Sequence, residues 1–124
     1  MNIDTINIIA LAYLGDAIYE VYIRESLLKK GLVKVDILQE HATKYVSAKG
    51  QAKILTNLID NNILTNEELD IVKRGRNNKR TNHPKNTDII TYKLSTGFEA
   101  LIGYLYLSNR QDRLEEIFNY IEVK

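Results

Sequence analysis

The sequence has no cysteine, no tryptophan, one proline and two histidines, and its charges nearly cancel, with 17 Lys and Arg against 16 Asp and Glu. Without cysteine neither a disulfide framework nor a thiolate metal site is possible, so nothing points to secretion and the cytoplasm is the expected compartment. The longest unbroken apolar run is seven residues, Ile8 to Leu14, well short of the about 20 needed to cross a bilayer. The first residues carry Asp4 where a signal peptide would be basic, so none is expected. No Pro- or Gly-rich stretch divides it. There is no Walker-type glycine loop and no histidine pair, and two histidines leave little room for hydrolysis with a histidine base. His41, beside Glu40, reads as a surface residue, and His83, beside Pro84, as a loop residue.

What is present suits one ordinary domain. A chain of 124 residues, 44% hydrophobic, can bury roughly two thirds of the surface its unfolded form exposes, so residues 1–124 are expected to form a single domain. The net charge of +1 conceals an asymmetry. The segment Lys73 to Asn86, KRGRNNKRTNHPKN, carries Lys73, Arg74, Arg76, Lys79, Arg80 and Lys85 with no acid. It is +6, and the remainder, with 11 basic and 16 acidic residues, is −5. Holding Gly75 and Pro84, it reads as a loop or frayed helix end. Charge runs are often merely solvated, but six cations without a counter-ion are also the footprint of phosphate contacts.

Period-two alternation is missing and helical periodicity runs throughout, so an all-α domain of six or seven helices is expected. Leu94, Phe98, Leu101, Ile102 and Leu105 form one core-facing stripe on a helix from about Asp88 to Leu107. Ile6, Ile9, Ala10, Tyr13, Ala17 and Val21 form a similar stripe, on one long or two abutting helices from about Thr5 to Lys30 with Asp4 as N-cap. Two further helices are expected to break near Ser47 to Gly50. Thr65 and Glu68 form a capping box that opens a short helix leading into the basic segment. A last helix starts at Asn109.

Asp16 and Glu99 sit in the two most apolar helical segments, LAYLGDAIYEVY and GFEALIGYLYL. Burying a charge beside a core is costly unless it is paired or binds metal. Each acid also has a glycine close by, Gly15 and Gly103, which costs roughly 1 kcal/mol against alanine in mid-helix. Close helix approach at those glycines could bring both carboxylates to one ion, and oxygen ligands with water and phosphate completing the shell describe a Mg²⁺ site. The alternative is that each acid faces water at a helix boundary. Glu20 shares a face with Asp16 and reads as a solvated partner of Arg24.

LAYLGDAIYE resembles the signature helix of the ribonuclease III endonuclease domain, with its Leu-Gly-Asp-Ala core, and TGFEALIGYLYL resembles that domain's second acidic helix. The order and the spacing of about eighty residues agree. The resemblance covers nearly the whole chain and no double-stranded-RNA-binding domain follows, so it is closer to the Mini-III subfamily, which consists of the nuclease domain alone. Asp16 then matches the family's catalytic aspartate and Glu99 its metal-binding glutamate. Ala12 and Thr96 stand where larger members carry two further acids, a reduction similar to that of the Mini-III subfamily.

The resemblance implies a Mg²⁺-dependent hydrolase that cuts double-stranded RNA to 5′-phosphate and 3′-hydroxyl ends, with precursor large-subunit (23S) ribosomal RNA as substrate. It implies a homodimer through the first helix around Tyr13, Ala17 and Tyr22, with burial inside the chain as the alternative for those residues. Double-stranded RNA is read by shape and backbone contacts, which assigns Arg74, Arg76, Lys79, Arg80 and Lys85 to phosphates. Lys49 and Lys53 are secondary candidates whose preferred reading is a solvated face. The competing readings are a non-catalytic all-α RNA-binding or ribosome-associated module and a plain helical dimerisation domain.

Overall fold

A computed structural model describes residues 2–78, 88–121 and 123. Lys79, Arg80, His83, Pro84 and Lys85 lie outside the described residues. The described chain is all helical, without strands: α1 (Ile8–Lys29), α2 (Val35–Val46), α3 (Ala48–Asp60), α4 (Asn66–Arg76), α5 (Ile89–Leu107) and α6 (Gln111–Asn119), preceded by a 3₁₀ turn at Ile3–Thr5.

The helix ends follow local chemistry. The Asn7 side chain accepts from the Ile9 N–H and caps α1, so the helix starts later than expected and the expected cap, Asp4, belongs to the 3₁₀ turn. Ser47 ends α2 and caps α3 by accepting from the Gly50 N–H. The Thr65–Glu68 capping box opens α4, and the Asp88 side chain accepts from the Thr91 N–H at the start of α5. Asn109 does not begin the last helix. It adopts a left-handed φ of 58° after α5, and α6 follows with no side-chain cap at Arg110.

α5 is the axis of the fold and packs against α1, α3, α4 and α6. Phe98, Leu101, Ile102 and Leu105 are buried as their spacing requires. The outcome for α1 is the reverse of the expectation. Its buried residues are Leu11, Ala12, Gly15, Tyr19, Ile23 and Leu27, while Tyr13 is 84% and Val21 62% exposed, with Ala10 and Ala17 beside them. Apolar residues flank the row of Asp16, Glu20 and Arg24 on both sides, so apolar spacing alone does not pick the side that faces the core. The glycines decide instead, by fixing which side of α1 can approach α5.

That approach is extreme. A Cβ on Gly15 would stand 1.8 Å from the Glu99 backbone oxygen, and one on Gly103 would stand 2.0 Å from the Leu11 oxygen. On the other side of α5 a Cβ on Gly97 would meet the Val72 oxygen of α4 at 2.7 Å. Tyr19 packs edge-on against Phe98 with ring centroids 5.1 Å apart, and its hydroxyl donates to the Tyr45 oxygen at 3.0 Å, tying α1 to α5 and α2. α6 is fastened differently. Arg113 donates to both carboxylate oxygens of Glu68 and to the Ile63 oxygen, each at 2.7 Å. Burial pushes the Glu68 carboxyl up, but the hydrogen bonds from Arg113 and Thr65 outweigh it and hold the group below its ordinary value.

In an open helix Gly15→Ala would gain about 1 kcal/mol. Here the methyl meets backbone, and the variant is expected to lose about 1–3 kcal/mol, measured by urea unfolding.

Candidate functional site

The Gly15–Gly103 crossing sets the positions of the two conspicuous acids. Asp16 follows Gly15 on α1, and Glu99 lies one turn before Gly103 on α5. Both line one open cleft of about 180 Å³, with Ile9, Ala12, Tyr13, Gly75, Asn78, Tyr92, Lys93 and Thr96. Asp16 is exposed at this cleft and Glu99 is half-buried. Asp16 therefore bears little of the burial cost expected of it, because the apolar residues around it on α1 include the helix's outward face. Ala12 and Thr96 border the same cleft, so an acid at either position would have joined the pair.

The Glu99 carboxyl carries the electrostatic strain. Its pKa is pushed up to about 9, first by burial, then by the hydrogen bond and the like charge of Asp16, against a lowering hydrogen bond from Gln51. Glu20 adds a smaller repulsion, although it is paired with Arg24 at 2.6 Å as its spacing suggests. Two carboxylates held this close favour one proton between them or a cation. Among the described residues no cluster of three or more His, Asp or Glu is present. Two carboxylates could hold a hard divalent ion if water and phosphate completed its shell.

Gln51 is not legible in the sequence as a site residue. It is 2% exposed, and its Nε2 donates to the Val46 oxygen at 3.0 Å and to Glu99 Oε2 at 3.3 Å. A glutamine on a predicted helix gives no signal of that kind. Lys93 is likewise unmarked. It lines the cleft, but a single lysine six residues before Glu99 has no distinguishing pattern.

The other expected residues divide. Arg74 and Arg76 are exposed in the last turn of α4, not in a loop, and Gly75 between them lines the cleft. Lys79, Arg80 and Lys85 are outside the described residues. Lys49 and Lys53 border a groove with Lys44. His41 is half-buried and its Nδ1 has no partner among the described residues, in place of the surface position expected. Tyr13 and Ala17 are exposed on α1. Tyr22 is taken up inside the chain, its ring stacked on Phe118 at 4.2 Å and its hydroxyl donating to the Phe118 oxygen at 3.1 Å. The residue that continues the exposed stripe is Val21.

Three comparisons bear on this geometry. The family profile described as Ribonuclease III domain matches residues 9–110. The chain is 45% identical over 120 residues to Mini-ribonuclease 3 of Streptococcus pneumoniae, covering 97% of this chain and 94% of that protein. It is 52% identical over 111 residues to Mini-ribonuclease 3 of Brevibacillus brevis, covering 90% and 81%. Among solved structures, a crystal structure of a Fusobacterium nucleatum protein superposes with a TM-score of 0.83 at 34% identity, covering 93% of this chain and 92% of the other.

The raised Glu99 carboxyl predicts a pH effect on the metal-free protein. A carboxyl whose folded pKa lies above its ordinary 4.5 contributes stability in acid that is lost as pH rises toward the folded value. Glu99→Gln is therefore expected to unfold at a higher temperature than the wild type near about pH 8, and the difference should shrink toward about pH 5, in thermal melts with chelator.

Proposed function

The chain belongs to the ribonuclease III family, in its Mini-ribonuclease 3 group, and on that premise we propose that it is a Mg²⁺-dependent endoribonuclease of double-stranded RNA. The products carry 5′-phosphate and 3′-hydroxyl ends, and the substrate is precursor 23S ribosomal RNA in the cytoplasm. The observation that carries this reading is the pressing together of Asp16 and Glu99 at one open cleft, at a cost in charge repulsion that a divalent ion relieves.

Asp16 and Glu99 would hold the ion, which supplies a water of lowered pKa as nucleophile and neutralises charge on the scissile phosphate. The rest falls to the chain's own groups. The cleft is open to one side, so a phosphodiester on the outside of a helix can reach the acids without being unwound. Arg74 and Arg76, on either side of the cleft-lining Gly75 in sequence, bind backbone phosphates, together with Lys79, Arg80 and Lys85, and they fix the duplex without reading its bases. No histidine is needed as base.

One cleft cuts one strand, so cleavage of both strands calls for a homodimer. The exposed stripe of Tyr13, Ala17 and Val21 on α1 supports that assembly. Its apolar and aromatic surface suits the core of a subunit interface, and it lies on the helix that carries Asp16.

Long double-stranded RNA incubated with the protein and Mg²⁺ is expected to be cut, while Asp16→Asn, with unchanged circular dichroism, leaves it intact. Intact RNA in both reactions would overturn the nuclease reading and leave a non-catalytic RNA-binding module. Neutralising Arg74 and Arg76 together should weaken binding equally across RNA sequences and reduce the slope of log K against log salt by about 1 for each phosphate that is no longer neutralised.

A further inference from the structure

Gln51 belongs to α3, and among the described residues no residue of that helix lines the cleft, so Gln51 reaches it only through Glu99. A Cβ on Gly50 would stand 2.2 Å from the Lys44 oxygen, so the first turn of α3 lies hard against the end of α2, and the next residue is buried beside Glu99. The two Nε2 contacts of Gln51 fix the orientation of its amide. Turning the amide over would aim an oxygen at the Val46 carbonyl, which has no proton to give. The same orientation leaves Oε1 buried with no partner among the described residues.

A glutamine serving stability alone would use both ends of its amide, because a buried acceptor without a donor is costly. Here the nitrogen end is spent on the Val46 carbonyl and the Glu99 carboxyl, and the oxygen end has no donor among the described residues. Among the described residues two acids line the cleft, so the orientation of each decides whether they can share an ion. We propose that Gln51 is a positioning residue for metal binding: anchored on the Val46 carbonyl, its amide holds the Glu99 carboxylate turned toward Asp16 so that the two share a divalent cation.

This inference rests on the two-carboxylate site proposed above, and Mn²⁺ binding to the whole chain, followed by calorimetry and by the Mn²⁺ electron paramagnetic resonance signal, tests the two separately. Removing an outer hydrogen-bond partner of a metal ligand typically costs about 10- to 100-fold in affinity. Gln51→Leu is expected to lose Mn²⁺ affinity by that factor and to lower kcat on double-stranded RNA with KM unchanged, while the metal-free protein still unfolds cooperatively near the wild-type temperature. A wild type that binds no Mn²⁺ overturns the two-carboxylate site itself. A wild type that binds, beside a folded Gln51→Leu that binds equally well, overturns the role of Gln51 alone. Should Gln51→Leu fail to fold, the unbranched Gln51→Met takes the same measurements. Failure of both to fold would make Gln51 a structural residue and overturn the proposal.

Discussion

The contact on which the rest depends is the bare-backbone crossing of α1 and α5. At Gly15 and Gly103 the two helices meet with no side chain between them, and a single methyl group on either would collide with a carbonyl of the other. Helices ordinarily pack about 8–10 Å apart because side chains separate them. Removing those side chains places the groups flanking each glycine unusually near the opposite helix, and the flanking groups here are Asp16 and Glu99. A packing device thereby becomes an electrostatic one. The same two glycines that cost helix propensity bring together two carboxylates that would otherwise stay apart.

The result is a fold that works against itself at one place. The apolar core around Phe98, Leu101 and Ile102 is close-packed, and the buried charge on Glu68 is fully partnered by the Arg113 guanidinium and by the Thr65 N–H. At Glu99 the reverse holds. Burial and the neighbouring Asp16 both oppose its charge, and the Gln51 amide supports it. Two acids removed from water in the same chain thus differ completely: one is paired and stabilises α6 against α4, and the other stores repulsion that a cation would release. Sites that bind charge commonly show this local conflict between stability and use.

Much of this is legible in particular residues. The 3.6-residue spacing of Leu94 to Leu105 marks α5 and its buried face, the Thr65–Glu68 pair marks the start of α4, and Ser47 marks the break between α2 and α3. Asp16 and Glu99 are conspicuous because a charge and a glycine each stand in an apolar helix. The outward face of α1 is not legible from apolar spacing, because apolar residues flank the row of Asp16, Glu20 and Arg24 on both sides. Tyr22 reads from its position as part of a subunit interface, yet its ring stacks on Phe118, a partner 96 residues away. Gln51 is invisible for the same reason, since its meaning lies in a contact 48 residues distant.

The sequence by itself determined the helices, most of their ends, the family and the two acids, because these depend on spacing and on short-range hydrogen bonds written in neighbouring residues. Only the tertiary structure decided which face of α1 is inside, that the last turn of α4 brings Gly75, between Arg74 and Arg76, to the cleft, and that an amide from α3 lies against Glu99. Those facts depend on how closely backbones can approach across long stretches of chain. That distance is set by the absence of atoms at a few glycines and has no period along the sequence to reveal it.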